Sequence, residues 1–253
     1  MNIPYQNMEI EQIYTQVLSN PHTSIAICSA EENEGVTSLA FSLAQRNLLA
    51  GHSTLLVDLN LYHPALKSLL AIDSISLPNI QPQQQPNKTI QQLSTTEVLS
   101  TPQMVCSNEN SIALNGVIAP TERERIMKLR QPGVLEQCIE EWLQQYDTVI
   151  IDTSPLNRVN AQNIPPERIA CACNGAILIV LAGQTSEASV NNAISKLRNA
   201  NAEILGSVLN DRDNPTLKNE LLREIQRIEP LFCWLTNPIK KVINRSRLLA
   251  LEV

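Results

Sequence analysis

The chain of 253 residues contains no run of 18 apolar residues, so nothing in it reads as a membrane-spanning helix. Its first residues lack the basic start and apolar block of a secretion signal, and cytoplasmic residence is the expectation. Six cysteines, at 28, 106, 138, 171, 173 and 233, form no C-x-x-C pair, and three histidines, at 22, 52 and 63, are scattered. Cys171-Ala-Cys173 is weak as a metal motif, and buried thiols in a reducing compartment are the simpler reading. Basic residues are outnumbered, 19 Lys and Arg against 25 Asp and Glu, giving a net charge of −6. That balance argues against a nucleic-acid partner, because affinity for DNA rests on many cationic contacts to phosphates. Tyrosine occurs only at 5, 14, 62 and 146.

What remains is the pattern of an α/β protein, and the length suits one large domain over residues 1–253. Strand-type apolar runs recur at 24–28, 54–58, 111–118, 148–152, 176–181 and 203–209. Between several of them lie helical patterns. Residues 8–18 carry Ile10, Ile13, Tyr14, Val17 and Leu18 on one stripe, and residues 37–49 continue helically until Gly51 ends them. Residues 134–145 place Leu135, Ile139, Trp142 and Leu143 together ahead of the run at 148. Alternation of this kind implies right-handed crossovers and a three-layer, doubly wound, mostly parallel sheet.

Ser24-Ile-Ala-Ile-Cys-Ser-Ala-Glu-Glu-Asn-Glu-Gly-Val-Thr-Ser38 has the order strand, loop, helix start that suits phosphate binding. In a P-loop the backbone N–H groups wrap the phosphates, a lysine reaches the β- and γ-phosphates and a hydroxyl holds magnesium. Gly35 and Thr37 keep the turn and the hydroxyl, but Val36 stands where the lysine belongs. At an effective dielectric near 20, one such cation about 4 Å from a phosphate charge is worth roughly 4 kcal/mol. Glu31, Glu32 and Glu34 add carboxylates where the phosphates would sit, and Asn33 is a residue able to take a left-handed turn. Two further apolar strands end in acids, Leu55-Leu-Val-Asp58 and Val149-Ile-Ile-Asp152, so that Asp58 and Asp152 flank the loop at the carboxyl ends of a parallel sheet.

These segments together resemble the bacterial tyrosine kinases of capsule and exopolysaccharide assembly (BY-kinases), within the MinD/ParA group of deviant P-loop ATPases. The family pattern S-A-x-P-G-E-G-K-S-T is similar to Ser29-Ala-Glu-Glu-Asn-Glu-Gly-Val-Thr-Ser38, and L-L-I-D-A-D-L-R-x-P-x-L to Leu55-Leu-Val-Asp-Leu-Asn-Leu-Tyr-His-Pro-Ala-Leu66. A third, Y-D-x-I-I-I-D-T-P-P, is similar to Tyr146-Asp-Thr-Val-Ile-Ile-Asp-Thr-Ser-Pro155. The likeness runs from about Ile10 to Asn210. It implies ATP or ADP with magnesium as cofactor. Glu34, Gly35, Val36, Thr37, Ser38 and Asn210 would surround the nucleotide, and Thr37, Asp58 and Asp152 would hold the metal. Asn210 matches a position that contacts the base.

The departures fall on the chemistry. Val36 replaces the lysine, Asn60 the second acid and Tyr62 the arginine after it, which argues against phosphoryl transfer, a reaction of positioning and charge neutralisation. No tyrosine-rich tail is present, and Glu11-Gln-Ile-Tyr-Thr-Gln-Val17 lacks both arginines of the E-x-x-R-x-x-R assembly motif, leaving a homo-oligomer open. Asp58 and Asp152 then either bind magnesium or cap backbone groups at strand ends, and Thr37 and Ser38 serve equally as helix N-caps. The expected function is a degenerate kinase-like subunit, regulatory or scaffolding, in exopolysaccharide biosynthesis at the inner membrane, working against a membrane-embedded polysaccharide co-polymerase. An active ATPase or tyrosine kinase that borrows Lys67, Arg46 or a neighbouring subunit's cation is the alternative, and an atypical MinD/ParA-like localisation factor is another. Residues 76–92, rich in Gln, Pro and Asn, read as a mobile insertion, and the basic segment 238–253 as a helix for a membrane surface or for its own domain.

Overall fold

A computed structural model describes residues 7–18, 23–66, 99, 102–107, 110–158, 163–212 and 225. The segments 76–92 and 238–253 lie outside them. The chain divides into two compact units, one of Met1–Val180 with Thr185–Asn210 and one of Leu181–Gln184 with Asp211–Val253. The first carries the sheet and the loop between Ser29 and Val36.

Its elements alternate as the sequence pattern implies: α1 (Met8–Val17), β1 (Thr23–Ser29), α2 (Val36–Leu49), β2 (Thr54–Leu59), β3 (Gln103–Ser107), β4 (Asn110–Val117), α3 (Arg123–Leu129), α4 (Val134–Leu143), β5 (Thr148–Thr153), α5 (Pro166–Ala172), β6 (Gly175–Leu181), α6 (Glu187–Asn199) and β7 (Ile204–Asn210). The strands form one seven-stranded sheet in the order β3-β4-β2-β5-β1-β6-β7. The pairs β1–β5, β1–β6, β2–β4 and β2–β5 are parallel. β3 runs antiparallel to β4 at one edge.

Because side chains alternate across a strand, the central strands feed two cores. Ile25 and Ile27 of β1, Leu56 of β2 and Ile150 of β5 pack with Ile10 of α1 and with Leu39, Phe41 and Leu43 of α2. Ala26 and Cys28, Leu55 and Val57, Val149 and Ile151 face the other way, onto α4 (Leu135, Ile139, Trp142), α5 (Ile169) and α6 (Ala193, Leu197). Burial on both faces is why β1, β2 and β5 read as unbroken apolar runs rather than as alternating ones. The helix α2 ends as the sequence suggests. Gly51, at φ 92°, donates to the Leu48 carbonyl at 3.0 Å while His52 donates to Asn47 at 3.3 Å, closing a left-handed C-terminal cap.

Candidate functional site

The loop between β1 and α2 has the conformation expected of its residues. Asn33 sits at φ 61° and Gly35 at φ 104°, both left-handed. Gly35 is required twice over, since a Cβ there would stand 2.7 Å from the Asn210 amide nitrogen. Asn210, the last residue of β7, donates through that nitrogen to the Glu34 carbonyl at 2.8 Å, so the far strand of this half-sheet holds the loop in place.

Val36 opens α2, and at 7% exposure it is packed into the core shared with α1. The site's missing cation is therefore an aliphatic group committed to the interior. Thr37 and Ser38 are not the N-caps proposed from the sequence: Gly35 occupies that position, without a side-chain cap. The first-turn N–H groups are thus left to a loop or an anion, as in phosphate-binding helices. Thr37 turns its hydroxyl elsewhere and donates to Asp152 Oδ2 at 2.5 Å.

Asp58 and Asp152 are direct partners in the β2–β5 register, so both carboxylates project from the same face of neighbouring strands. Asp58 is occupied by the chain that follows it. One oxygen accepts the Asn60 N–H at 3.0 Å, and the other accepts Ala65 at 2.9 Å and Leu66 at 3.0 Å. Burial raises its pKa against the lowering effect of those N–H groups. Asp152 is more isolated. Burial first and then the Asp58 charge push its pKa up to about 8, opposed by Thr37 and Asn60, and its Oδ1 has no hydrogen-bond partner. Asn60, in place of a second acid, accepts the His63 N–H at 3.1 Å and the Ser154 hydroxyl at 3.5 Å, shaping the turn after β2.

The three glutamates do not crowd the loop as bare charges, which corrects the expectation drawn from the sequence. Glu34 is buried, accepts the Ala30 N–H at 2.9 Å and accepts the Thr185 hydroxyl. Glu31 accepts from Ser189 at 2.7 Å and from Asn157 at 3.2 Å. Arg158 lies 3.3 Å from Glu32 and 3.8 Å from Glu31. Sequence reasoning missed Asn157, Arg158, Thr185 and Ser189, and no local motif marks them, because Asn157 and Arg158 come from the segment after β5, Thr185 from just before α6 and Ser189 from its first turn. Of the cations proposed as substitutes, Lys67 lies outside the described residues. Arg46 is ruled out by position, nine residues and roughly 14 Å along α2 from Thr37. It is held there by a two-pronged pair with Glu11 and stacks 4.2 Å from the Tyr14 ring.

Magnesium fits one end of this arrangement: a hydroxyl touching a carboxylate with one free oxygen is a usual donor set for it. Triphosphate fits only the backbone of the other end, for among the described residues no ammonium group stands beside the helix start. Among the described residues no helix is long and apolar enough to cross a membrane.

Comparison with known proteins agrees with this geometry. No protein-family model matches the chain. The tyrosine-protein kinase CpsD of Streptococcus agalactiae is 28% identical over 202 residues, covering 74% of this chain and 74% of that protein. CpsD of Streptococcus pneumoniae serotype 4 is 25% identical, over 80% of this chain and 85% of its own. The chain is a homologue of these kinases. Solved structures carry the same fold: the VpsO kinase domain has a TM-score of 0.55 at 17% identity, covering 81% of this chain and 92% of its own, and the kinase domain of the Escherichia coli tyrosine kinase ETK 0.52 at 17%, covering 85% and 83%. A cobyrinic acid a,c-diamide synthase from Mycobacterium smegmatis solved with an ATP analogue and magnesium has a TM-score of 0.53 at 16% identity, covering 81% and 82%, and shares the fold as well.

Proposed function

We propose that this BY-kinase-like chain is catalytically degenerate and serves as a regulatory or scaffolding subunit of exopolysaccharide biosynthesis. Its partner would be a membrane-embedded co-polymerase or another assembly protein, met at the inner membrane from the cytoplasmic side. The observation that carries the reading is Val36, buried at the start of α2 where the kinases' lysine would neutralise the terminal phosphates. Two others support it. Asp58 has both oxygens engaged by backbone N–H groups, which suits a cap more than a metal ligand, and Glu31, Glu32 and Glu34 tie the loop to β5 and α6 by polar contacts.

Under this reading Thr37 and Asp152 are the residues able to hold magnesium, with Asp58 behind them, and the loop from Glu34 to Ser38 with Asn210 frames a weak nucleotide site or none. The segment 238–253 is the proposed contact to a membrane surface. Calorimetric titration with ATP and ADP in magnesium, together with an ATPase assay, tests the reading. Weak or absent binding and no turnover are expected. Turnover that Asp58→Ala and Asp152→Ala each abolish would replace it with the active-kinase alternative.

A second reading has one specific observation in its favour. Arg158 brings a guanidinium to the loop, and rotation away from Glu32 would free it for a phosphate. Its charge is already matched by two carboxylates, so the degenerate reading stands first.

A further inference from the structure

Three segments meet at the mouth of the loop: the loop itself with Glu31 and Glu32, the turn after β2 with His63, and the segment after β5 with Arg158. Glu32 bridges the other two. Its Oε1 lies 3.3 Å from Arg158 Nε and its Oε2 3.7 Å from His63 Nε2, one oxygen to each basic group. Glu31 is anchored differently, by the Ser189 hydroxyl at 2.7 Å and the Asn157 amide at 3.2 Å, with Arg158 farther off at 3.8 Å. Both basic groups are positioned without help from Glu32. The His63 backbone N–H donates to Asn60 at 3.1 Å and its ring meets the Tyr62 ring edge-on, centroids 5.6 Å apart, while the Arg158 backbone N–H donates to the Pro155 carbonyl at 3.2 Å.

We propose that Glu32 is a tethered stand-in for a phosphate-type anion, holding the place between Arg158 and His63 until such an anion displaces it. The proposal deepens the reading of Arg158 given above and is independent of whether the chain turns ATP over. Exposed ion pairs contribute little, and the Arg158 and His63 side chains are 54% and 62% exposed, so Glu32 leaves at small cost. Among the described residues its departure leaves no backbone donor unmade. Charge then selects the incoming group. A carboxylate brings the same single charge as Glu32 and must also give up its freedom to bind, whereas a phosphate group brings about two charges and a third oxygen. The guanidinium fork of Arg158 matches phosphate oxygens two at a time, which leaves one for His63.

The test titrates the full chain with pyrophosphate and with ADP by calorimetry, at constant ionic strength and without magnesium, so that Thr37 and Asp152 stay out of the result. Glu32→Gln, which keeps the shape and removes the charge, is expected to tighten pyrophosphate about fivefold. Adding Arg158→Gln to it is expected to take that gain away; should the double variant fail to fold, His63→Gln in its place is expected to remove part of the gain. Glu31→Gln, beside the same arginine but held by Ser189 and Asn157, is expected to give a clearly smaller gain. Tighter binding of ADP than of pyrophosphate by Glu32→Gln names a nucleotide as the source of the anion, and the reverse names a free phosphate. Equal pyrophosphate affinity in the parent and Glu32→Gln, no measurable binding to that variant at millimolar pyrophosphate, a gain that survives the loss of Arg158, or an equal gain in Glu31→Gln overturns the proposal. An ATP turnover rate bears on the loss of catalysis and not on this result.

Discussion

The two ends of the site differ more from each other than either differs from its surroundings. At the proposed metal end, Thr37 and Asp152 touch at 2.5 Å, and one carboxyl oxygen is left without a partner, an arrangement that suits a cation. At the phosphate end the loop keeps its left-handed turns at Asn33 and Gly35, yet its cation is a buried valine and its three acids are bound to other parts of the protein. Loop shape and loop chemistry are therefore separable. Shape follows from backbone dihedrals and a close-packed Gly35, whereas charge neutralisation in a P-loop rests on one lysine side chain.

The largest expected effect sharpens the metal end. Asp152 is protonated in the folded protein up to about pH 8 and in the unfolded chain only below about pH 3.8. A folded pKa raised in this way gives stability that is complete below the unfolded value and is lost as pH rises through the folded one. Asp152→Asn mimics the protonated form. Its stability relative to the parent is expected to grow between pH 4 and 8, by up to about 1.4 kcal/mol per pH unit from this group. Urea unfolding across that range checks it, and parallel curves for the two proteins would mean that Asp152 is ionised in the fold.

Next in size is the phosphate end. Glu34→Ala takes the acceptor from the Ala30 N–H and removes one contact of Thr185, and a loss of about 1–3 kcal/mol is expected in thermal or urea unfolding, with a smaller loss for Glu34→Gln. A neutral result would mean that the loop's contacts are not what hold it. Val36→Lys then tries to merge the two ends. If the cation is the main deficit, calorimetry in magnesium should show ATP binding tightened about tenfold or more, near 1.4 kcal/mol, and an unchanged affinity would place the defect in Asp58 or Asn60 instead.

The frame was legible in the sequence because central parallel strands are apolar on both faces. β1, β2, β4, β5, β6 and β7 stand within a residue or two of the runs that mark them, and Asp58 and Asp152 lie side by side as their strand-end positions imply. β3 was not legible. Gln103–Ser107 is five residues with an apolar stretch of only three, Met104-Val-Cys106, and Met104 is exposed on an edge, so it carries neither alternation nor an apolar run of strand length. The same holds for α3 and α5, seven residues each, too short for a clear helical period. The loop's partners were invisible for a different reason. Glu31 meets Ser189 and Glu34 meets Thr185 across more than 150 residues of chain, and such pairs leave no local trace.

The smallest effect concerns Arg158, a cation beside the loop. Arg158→Ala removes an exposed pair with Glu32, and less than about 1 kcal/mol of stability is expected to go with it. Its use lies in ATPase assays. A rate that disappears in this variant and in no other arginine variant would identify Arg158 as the substitute for the lysine.

Turnover of magnesium ATP by the purified full chain, measured beside the Asp58→Ala/Asp152→Ala double variant, tests the proposed loss of catalysis most directly. The same slow background in both proteins is expected of a frame whose phosphate end lacks its cation. A parent rate well above that background, abolished in the double variant, would contradict it.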